Sequence, residues 1–107
     1  MLPKEFRLQR EKFNSVFKEA TPFYSRYFTL LYQPLQDQKS PQFGIIASLK
    51  VGKANKRIKC KRKLRGMILE NIGDFPKGNF VFICKSNLAE ATAGELRDEF
   101  KRFLSKT

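Results

Sequence analysis

KANKRIKCKRKLR, residues 53–65, contains eight Lys or Arg residues and no acidic residue. When successive positions are placed about 100° apart, as in an α-helix, the apolar residues from here to position 68 fall on one stripe. That stripe consists of Cys60, Leu64, Met67 and Ile68. The pattern predicts an amphipathic helix that begins near Lys56, is capped by Asn55 and ends near Asn71.

The charge of this helix is not balanced by the neighbouring sequence. No Asp or Glu occurs between Gln38 and Leu69, so no carboxylate one turn away offsets the repulsion among the cations. The cations also crowd the expected N-terminus, where the helix dipole disfavours them and free N–H groups attract phosphate. A solvated charged surface is the alternative interpretation, but these features favour binding to a nucleic-acid backbone.

The rest of the sequence predicts one α+β domain over residues 1–107, with a net charge of +12. We expect a first helix at 9–20, strands at 25–34, 42–50 and 79–85, and a final helix. The strand at 79–85 is apolar on both faces, which is typical of a central strand. Thr92 and Glu95 form a capping-box pattern at the start of the final helix. Its expected core stripe is Leu96, Phe100, Phe103 and Leu104.

The composition argues against several classes of site. The chain has no His and only two cysteines, Cys60 and Cys84, so no zinc site is expected. The two cysteines fit a reducing compartment, although a disulfide between them stays open. The acidic residues are scattered, so we expect no metal site and no catalytic residue in the chain. The N-terminal segment lacks the apolar stretch of a signal peptide, so we expect none, and the short apolar runs predict no membrane-spanning segment.

Residues 48–65, SLKVGKANKRIKCKRKLR, resemble the signature of the bacterial ribonuclease P protein component. The matching positions are Ser48, Lys50, Val51, Gly52, Ala54, Arg57, Lys61, Arg62 and Arg65, and Lys59 keeps the charge where Arg is usual. The segments LPKEFRLQREKFNSVFKEA, RYFTLLYQP and NFVFICK resemble other parts of the family in the same order. The resemblance therefore covers nearly the whole chain.

This resemblance implies an α-β-β-α-β-α two-layer sandwich like domain 2 of ribosomal protein S5, with a left-handed β-α-β crossover. It also implies a cytoplasmic protein that binds ribonuclease P RNA and precursor tRNA, with no membrane and no small-molecule substrate. The RNA would hold the Mg²⁺ that the holoenzyme needs, and the protein alone would bind no cofactor. The implied RNA-binding residues are Lys50, Lys53, Lys56, Arg57, Ile58, Lys59, Lys61, Arg62 and Arg65. The implied cleft for the tRNA 5′ leader contains Phe13, Phe17, Leu31 and Tyr32.

Two positions depart from the family pattern. Ile58 stands where the family has Asn, at the centre of the basic face, and Leu31 stands where Tyr is frequent. The sequence leaves open which face of the sheet lines the cleft. It also leaves two other functions open, an RNA-binding protein of ribosomal or assembly type and a basic domain held at an anionic membrane.

Overall fold

The computed structural model describes residues 2–107 as three α-helices and one four-stranded sheet, joined by short 3₁₀ turns. This α+β architecture confirms the predicted fold class. In chain order the elements are α1 (Phe13–Glu19), β1 (Thr21–Tyr24), β2 (Phe28–Pro34), β3 (Gln42–Ile46), α2 (Ala54–Glu70), β4 (Gly78–Cys84) and α3 (Ala93–Leu104).

The sheet has the strand order β1-β2-β4-β3. β4 lies between β2, which is antiparallel to it, and β3, which is parallel to it, so the predicted central strand is confirmed. α2 forms the crossover between the parallel strands β3 and β4, and the left-handed sense of that crossover stays a prediction. β1 was not predicted, because Pro22 was interpreted only as a helix stop. Pro22 is compatible with β1 because β1 is an edge strand.

One face of the sheet packs against α2 and α3 and forms the main core. Its largest fully buried side chains are aromatic, and they contact one another at ring-centroid distances such as 5.3 Å between Phe28 and Phe82 and 5.5 Å between Phe82 and Phe100. Phe103 and Leu96 on α3 are also buried, and Leu104 is half-buried, which confirms the predicted stripe. The main core therefore fixes α2 and α3 on this side of the sheet.

The other face of the sheet carries α1, which lies over β2 and β4. Its core is small: Leu8, Val16 and Val81 are buried, with half-buried apolar residues around them. Since α1 has only seven residues, it leaves part of this face uncovered.

The start of α2 differs from the prediction in two ways. β3 ends at Ile46 instead of residue 50, because Leu49–Val51 form a 3₁₀ turn that buries Val51. Lys53, not Asn55, is the N-cap residue, and no side chain caps the helix. The 3₁₀ turn brings the chain to Gly52 with φ of 146°, a conformation that glycine adopts most readily. Asn55 therefore lies within the first turn of α2.

Candidate nucleic-acid interface

The apolar side of α2 fixes which side of the helix faces solvent. Cys60, Leu64, Met67 and Ile68 are all buried against the main core, as predicted. The side chains that point away from the core include most of the basic residues. The exposed ones are Lys53, Lys59 and Arg62, with Lys50 just before the helix, and the half-buried ones are Lys56, Arg57, Lys61 and Arg65. We call these eight cations the basic face.

The basic face has no acidic partner in the part of the chain that the structure describes. The two ion pairs found in residues 2–107, Arg97–Glu70 and Arg102–Glu99, both involve α3 and neither includes a cation of the basic face. Like charges at this density repel one another. The basic face is therefore destabilising by itself and favourable when a polyanion lies on it.

The N-terminus of α2 adds to this electropositive character. Its first turn contains no acidic residue, and no side chain accepts a hydrogen bond from its N–H groups. Such N–H groups, together with the helix dipole, attract phosphate. The side chain of Arg57 also lies here, half-buried, and its Nε is buried without a hydrogen-bond partner among the described residues.

Ile58 lies on the exposed side of α2 and is 51% exposed. An isoleucine at this exposure adds little to the core. Its position among the cations agrees with the angle expected from the sequence. Ile58 is therefore available to a ligand that contacts the basic face.

Lys63 lies in the same basic run but has a structural role. Its Nζ donates hydrogen bonds to the carbonyl oxygens of Ala89 at 2.5 Å and Ala91 at 2.7 Å, at the end of the 3₁₀ segment Ser86–Glu90. These contacts join α2 to the segment before α3. Among the cations of the basic run, Lys63 therefore stabilises the fold and is not part of the basic face.

Three of the four residues predicted for the leader cleft are on the α1 side of the sheet. Phe13 and Leu31 pack beside the small core, and Phe17 is 49% exposed on α1. The rings of Phe13 and Phe17 meet edge to face, with centroids 6.4 Å apart. Leu31 therefore lies on the face of the sheet that carries α1.

Tyr32, the fourth residue predicted for the leader cleft, lies on the opposite face of the sheet. Side chains alternate along a strand, so the neighbours Leu31 and Tyr32 point to opposite faces of the sheet. Tyr32 stacks on Phe80 with centroids 4.7 Å apart and meets Phe103 edge to face at 6.0 Å. Burial on this side raises the pKa of the Tyr32 phenol. Tyr32 is therefore half-buried against the main core and lies on the face of the sheet opposite to Leu31.

The structure also adds basic residues that the sequence did not single out. Arg7 lines a surface depression with Lys61 and Arg65, and Arg10 lines another with Phe13. A β-bridge between Arg7 and Phe43 holds the N-terminal segment against β3. The N-terminal segment thus lies between the basic face and the cleft. In the sequence, the only sign of this arrangement is that the segment is basic. Its position could not be predicted, because the β-bridge joins residues that are far apart in the sequence.

Glu95 and the two cysteines have structural surroundings. The backbone N–H of Thr92 and the phenol of Tyr27 donate to Glu95, and these hydrogen bonds hold the pKa of Glu95 below its usual range. Cys60 and Cys84 are buried free thiols, and burial raises the pKa of Cys84 to about 12. Among residues 2–107, no group of three or more Cys, Asp and Glu side chains is placed to hold a metal ion. In the same residues, no helix is long and apolar enough to cross a membrane.

Comparison with known proteins identifies relatives along the whole described chain. The family model described as Ribonuclease P matches residues 2–107. The ribonuclease P protein component of Nitratiruptor sp. is 33% identical over 97 residues, which cover 91% of this chain and 86% of the relative. The solved RNase P protein of Thermotoga maritima is 30% identical with a TM-score of 0.81, and the match covers 94% of this chain and 96% of that one. A Staphylococcus aureus RNase P protein, 19% identical with a TM-score of 0.81, shares the fold; that match covers 94% of each chain.

Proposed function

The chain belongs to the ribonuclease P protein family, and on that premise we propose that it contacts two RNA molecules through two different surfaces. As a ribonuclease P protein component, it is a subunit of the endoribonuclease that processes the 5′ end of tRNA and is a partner of ribonuclease P RNA. The basic face of α2 binds the ribonuclease P RNA. The cleft beside α1 binds the single-stranded 5′ leader of precursor tRNA.

The absence of acidic partners around the basic face, within residues 2–107, is the observation that carries this proposal. Phosphate groups of RNA would replace the missing carboxylates and release counterions as they bind. Lys53, Lys56 and Arg57 lie at the free N-terminus of α2, where a phosphate is favoured by both charge and N–H groups. Lys50, Lys59, Lys61, Arg62 and Arg65 extend the same surface.

The cleft offers aromatic surface to unpaired bases. Phe17 is half exposed and Phe13 packs against it, so a base can stack on the exposed ring while the other ring supports it. Stacking on an aromatic side chain contributes about 1–3 kcal/mol per base and tolerates any sequence. Leu31 adds apolar surface at the floor of the cleft. A leader of variable sequence fits such a site.

We assign the hydrolysis of the phosphodiester bond to the RNA subunit. The chain contains no His, and the acidic residues that the structure describes do not cluster into a metal site. We therefore assign no metal-dependent step to this protein, and we propose that RNA binds the Mg²⁺ of the holoenzyme. The protein contributes affinity and placement of the substrate, acting in the cytoplasm.

Cleavage of precursor tRNA by a bacterial ribonuclease P RNA at low Mg²⁺ tests this proposal. Adding the protein should stimulate cleavage at the mature 5′ end, because the basic face offsets the repulsion between two RNA molecules that Mg²⁺ otherwise screens. A variant with Arg57→Ala and Arg62→Ala should stimulate less. RNA binding without any stimulation would contradict the proposal and favour an RNA-binding protein of assembly type.

Ile58 allows a finer test of the basic face. Ile58→Asn restores the amide usual at this position in the family, and the exposed site accommodates it without cost to the core. We expect the affinity for ribonuclease P RNA to stay the same or increase, because an amide can hydrogen-bond to RNA. A clear loss of affinity would show that Ile58 makes an apolar contact of its own.

A further inference from the structure

The helix α1 has few apolar contacts to hold it in place. It is seven residues long, and Val16 is its one buried residue. A helix of this length is not stable by itself, so contacts with the sheet determine its orientation. Because Phe13 and Phe17 project from α1, the same contacts determine where the two rings lie.

On one flank, α1 is held by a row of buried amides. Gln33 on β2 and Asn79 on β4 are register partners, and both are almost fully buried. The Gln33 Nε2 donates to Ser15 Oγ at 3.0 Å and to Glu19 Oε2 at 2.7 Å. The Gln33 Oε1 accepts a hydrogen bond from Asn79 Nδ2 at 3.3 Å. Gln33 thus connects α1 to the sheet through two adjacent helical turns.

On the other flank, Phe13 lies directly over Gly44 of β3. A Cβ at Gly44 would overlap the Cζ of Phe13, far inside van der Waals contact. The absence of a side chain at Gly44 therefore lets the ring approach the sheet. Just before α1, Lys12 Nζ donates to Gln42 Oε1 on the same strand at 3.3 Å.

We propose that Gln33 and Gly44 are positioning residues for the leader cleft. Ser15 and Glu19 lie one turn apart on one side of α1, and Phe13 and Phe17 lie one turn apart on the other side. The hydrogen bonds of Gln33 and the packing of the Phe13 ring on Gly44 therefore fix the rotation of α1 about its own axis. That rotation aims Phe17 at the space where the leader binds. The inference rests on the proposed binding of the leader in this cleft.

The charge of Glu19 makes the proposal testable. Glu19 is an exposed carboxylate, so its removal from a protein that binds RNA should strengthen binding if charge alone mattered. If Glu19 holds α1 through Gln33, its removal should instead weaken binding of the leader. Glu11 is the matched control: it is an exposed carboxylate just before α1, and its side chain has no hydrogen bond or ion pair within residues 2–107.

The experiment measures the affinity of the reconstituted holoenzyme for precursor tRNA with a long leader and for mature tRNA without one. The dissociation constant for mature tRNA divided by that for precursor tRNA reports the contribution of the leader, and a larger ratio means a larger contribution. We expect Glu19→Ala and Gln33→Ala each to reduce that ratio by about threefold to tenfold, the effect of losing one or two hydrogen bonds. The double variant should lose no more than Gln33→Ala alone, because Gln33→Ala already removes the hydrogen bond to Glu19.

Glu19→Gln should restore the ratio, because its amide oxygen still accepts the hydrogen bond from Gln33. Glu11→Ala should leave the ratio unchanged or raise it. A ratio in Glu19→Ala equal to or above that of the unmodified protein would overturn the inference. If the unmodified holoenzyme itself showed no dependence on the leader, the proposed function of the cleft would fail first and the inference with it.

Discussion

The two long helices α2 and α3 begin in opposite ways. α3 starts with a capping box, in which the Glu95 N–H donates to Thr92 Oγ1 at 3.1 Å and the Thr92 N–H donates to Glu95 Oε1 at 2.9 Å. α2 starts with no side-chain cap and no acidic residue in its first turn. Both helices bury an apolar stripe in the same core. The N-terminus of α3 is therefore capped by the protein's own side chains, whereas the N-terminus of α2 has no side-chain cap and is open to the phosphate that we propose binds there.

The charges along the two helices differ in the same way. Arg97 and Arg102 on α3 are each 2.8 Å from a carboxylate oxygen, of Glu70 and Glu99 respectively. The basic face of α2 has no such partner in the described chain. A local sequence that opposes helix stability is expected where function requires it. The contrast therefore supports the proposal that α2 is the helix that binds RNA and that α3 is a structural helix.

The largest expected effect is the difference in the free energy of unfolding between replacing a buried and replacing an exposed apolar residue on these helices. Phe100→Ala on α3 should lower the free energy of unfolding by about 3–5 kcal/mol, because it removes a ring packed between Phe28 and Phe82. Ile58→Ala on α2 should change it by less than about 0.5 kcal/mol. Urea unfolding monitored by circular dichroism measures both. Similar losses in the two variants would contradict the assignment of Ile58 to the binding surface.

A medium effect is expected at the cap of α3. Thr92→Ala removes the acceptor for the Glu95 N–H and should cost about 1 kcal/mol of stability. The affinity for ribonuclease P RNA, measured by filter binding, should not change. Lower RNA affinity in a variant that stays folded would show that the start of α3 also contacts RNA, and the contrast between the helices would be lost.

The smallest effect on stability is expected at the start of α2, where a substitution should raise the free energy of unfolding instead of lowering it. Asn55→Glu places a carboxylate in the first turn and should stabilise the protein by about 0.3–1 kcal/mol through the helix dipole. It should also weaken binding to ribonuclease P RNA, because the carboxylate repels phosphate. Asn55→Gln is the control for side-chain size. A Glu variant that binds RNA as tightly as the Gln variant would mean that phosphate does not approach this end of α2.

The sequence predicted well those features that depend on local periodicity. The stripe of α2, the capping box of α3 and the central strand β4 are each encoded within one segment. Sequence periodicity also placed Ile58 among the cations. These features needed no knowledge of which segments meet in the fold.

The features that the sequence did not predict depend on contacts between distant segments. β1 exists because four residues pair with the edge of β2. Lys63 is structural because the carbonyl groups of residues 89 and 91 lie beside it. The sequence left open which of Leu31 and Tyr32 faces the main core, because alternation along a strand does not say which face is the core. The amide row beneath α1 joins residues 15, 19, 33 and 79, which no local pattern connects.

The most direct test of the central claim is the salt dependence of the affinity for ribonuclease P RNA in three variants with the same net charge: Lys61→Ala, Arg62→Ala and Lys63→Ala. We predict that the slope of log K against log salt concentration decreases by about 0.7–0.9 for Lys61→Ala and for Arg62→Ala, one phosphate contact each. The slope for Lys63→Ala should match that of the unmodified protein. Equal slopes in all three variants would contradict the claim that the basic face of α2, and not the overall charge, binds the RNA.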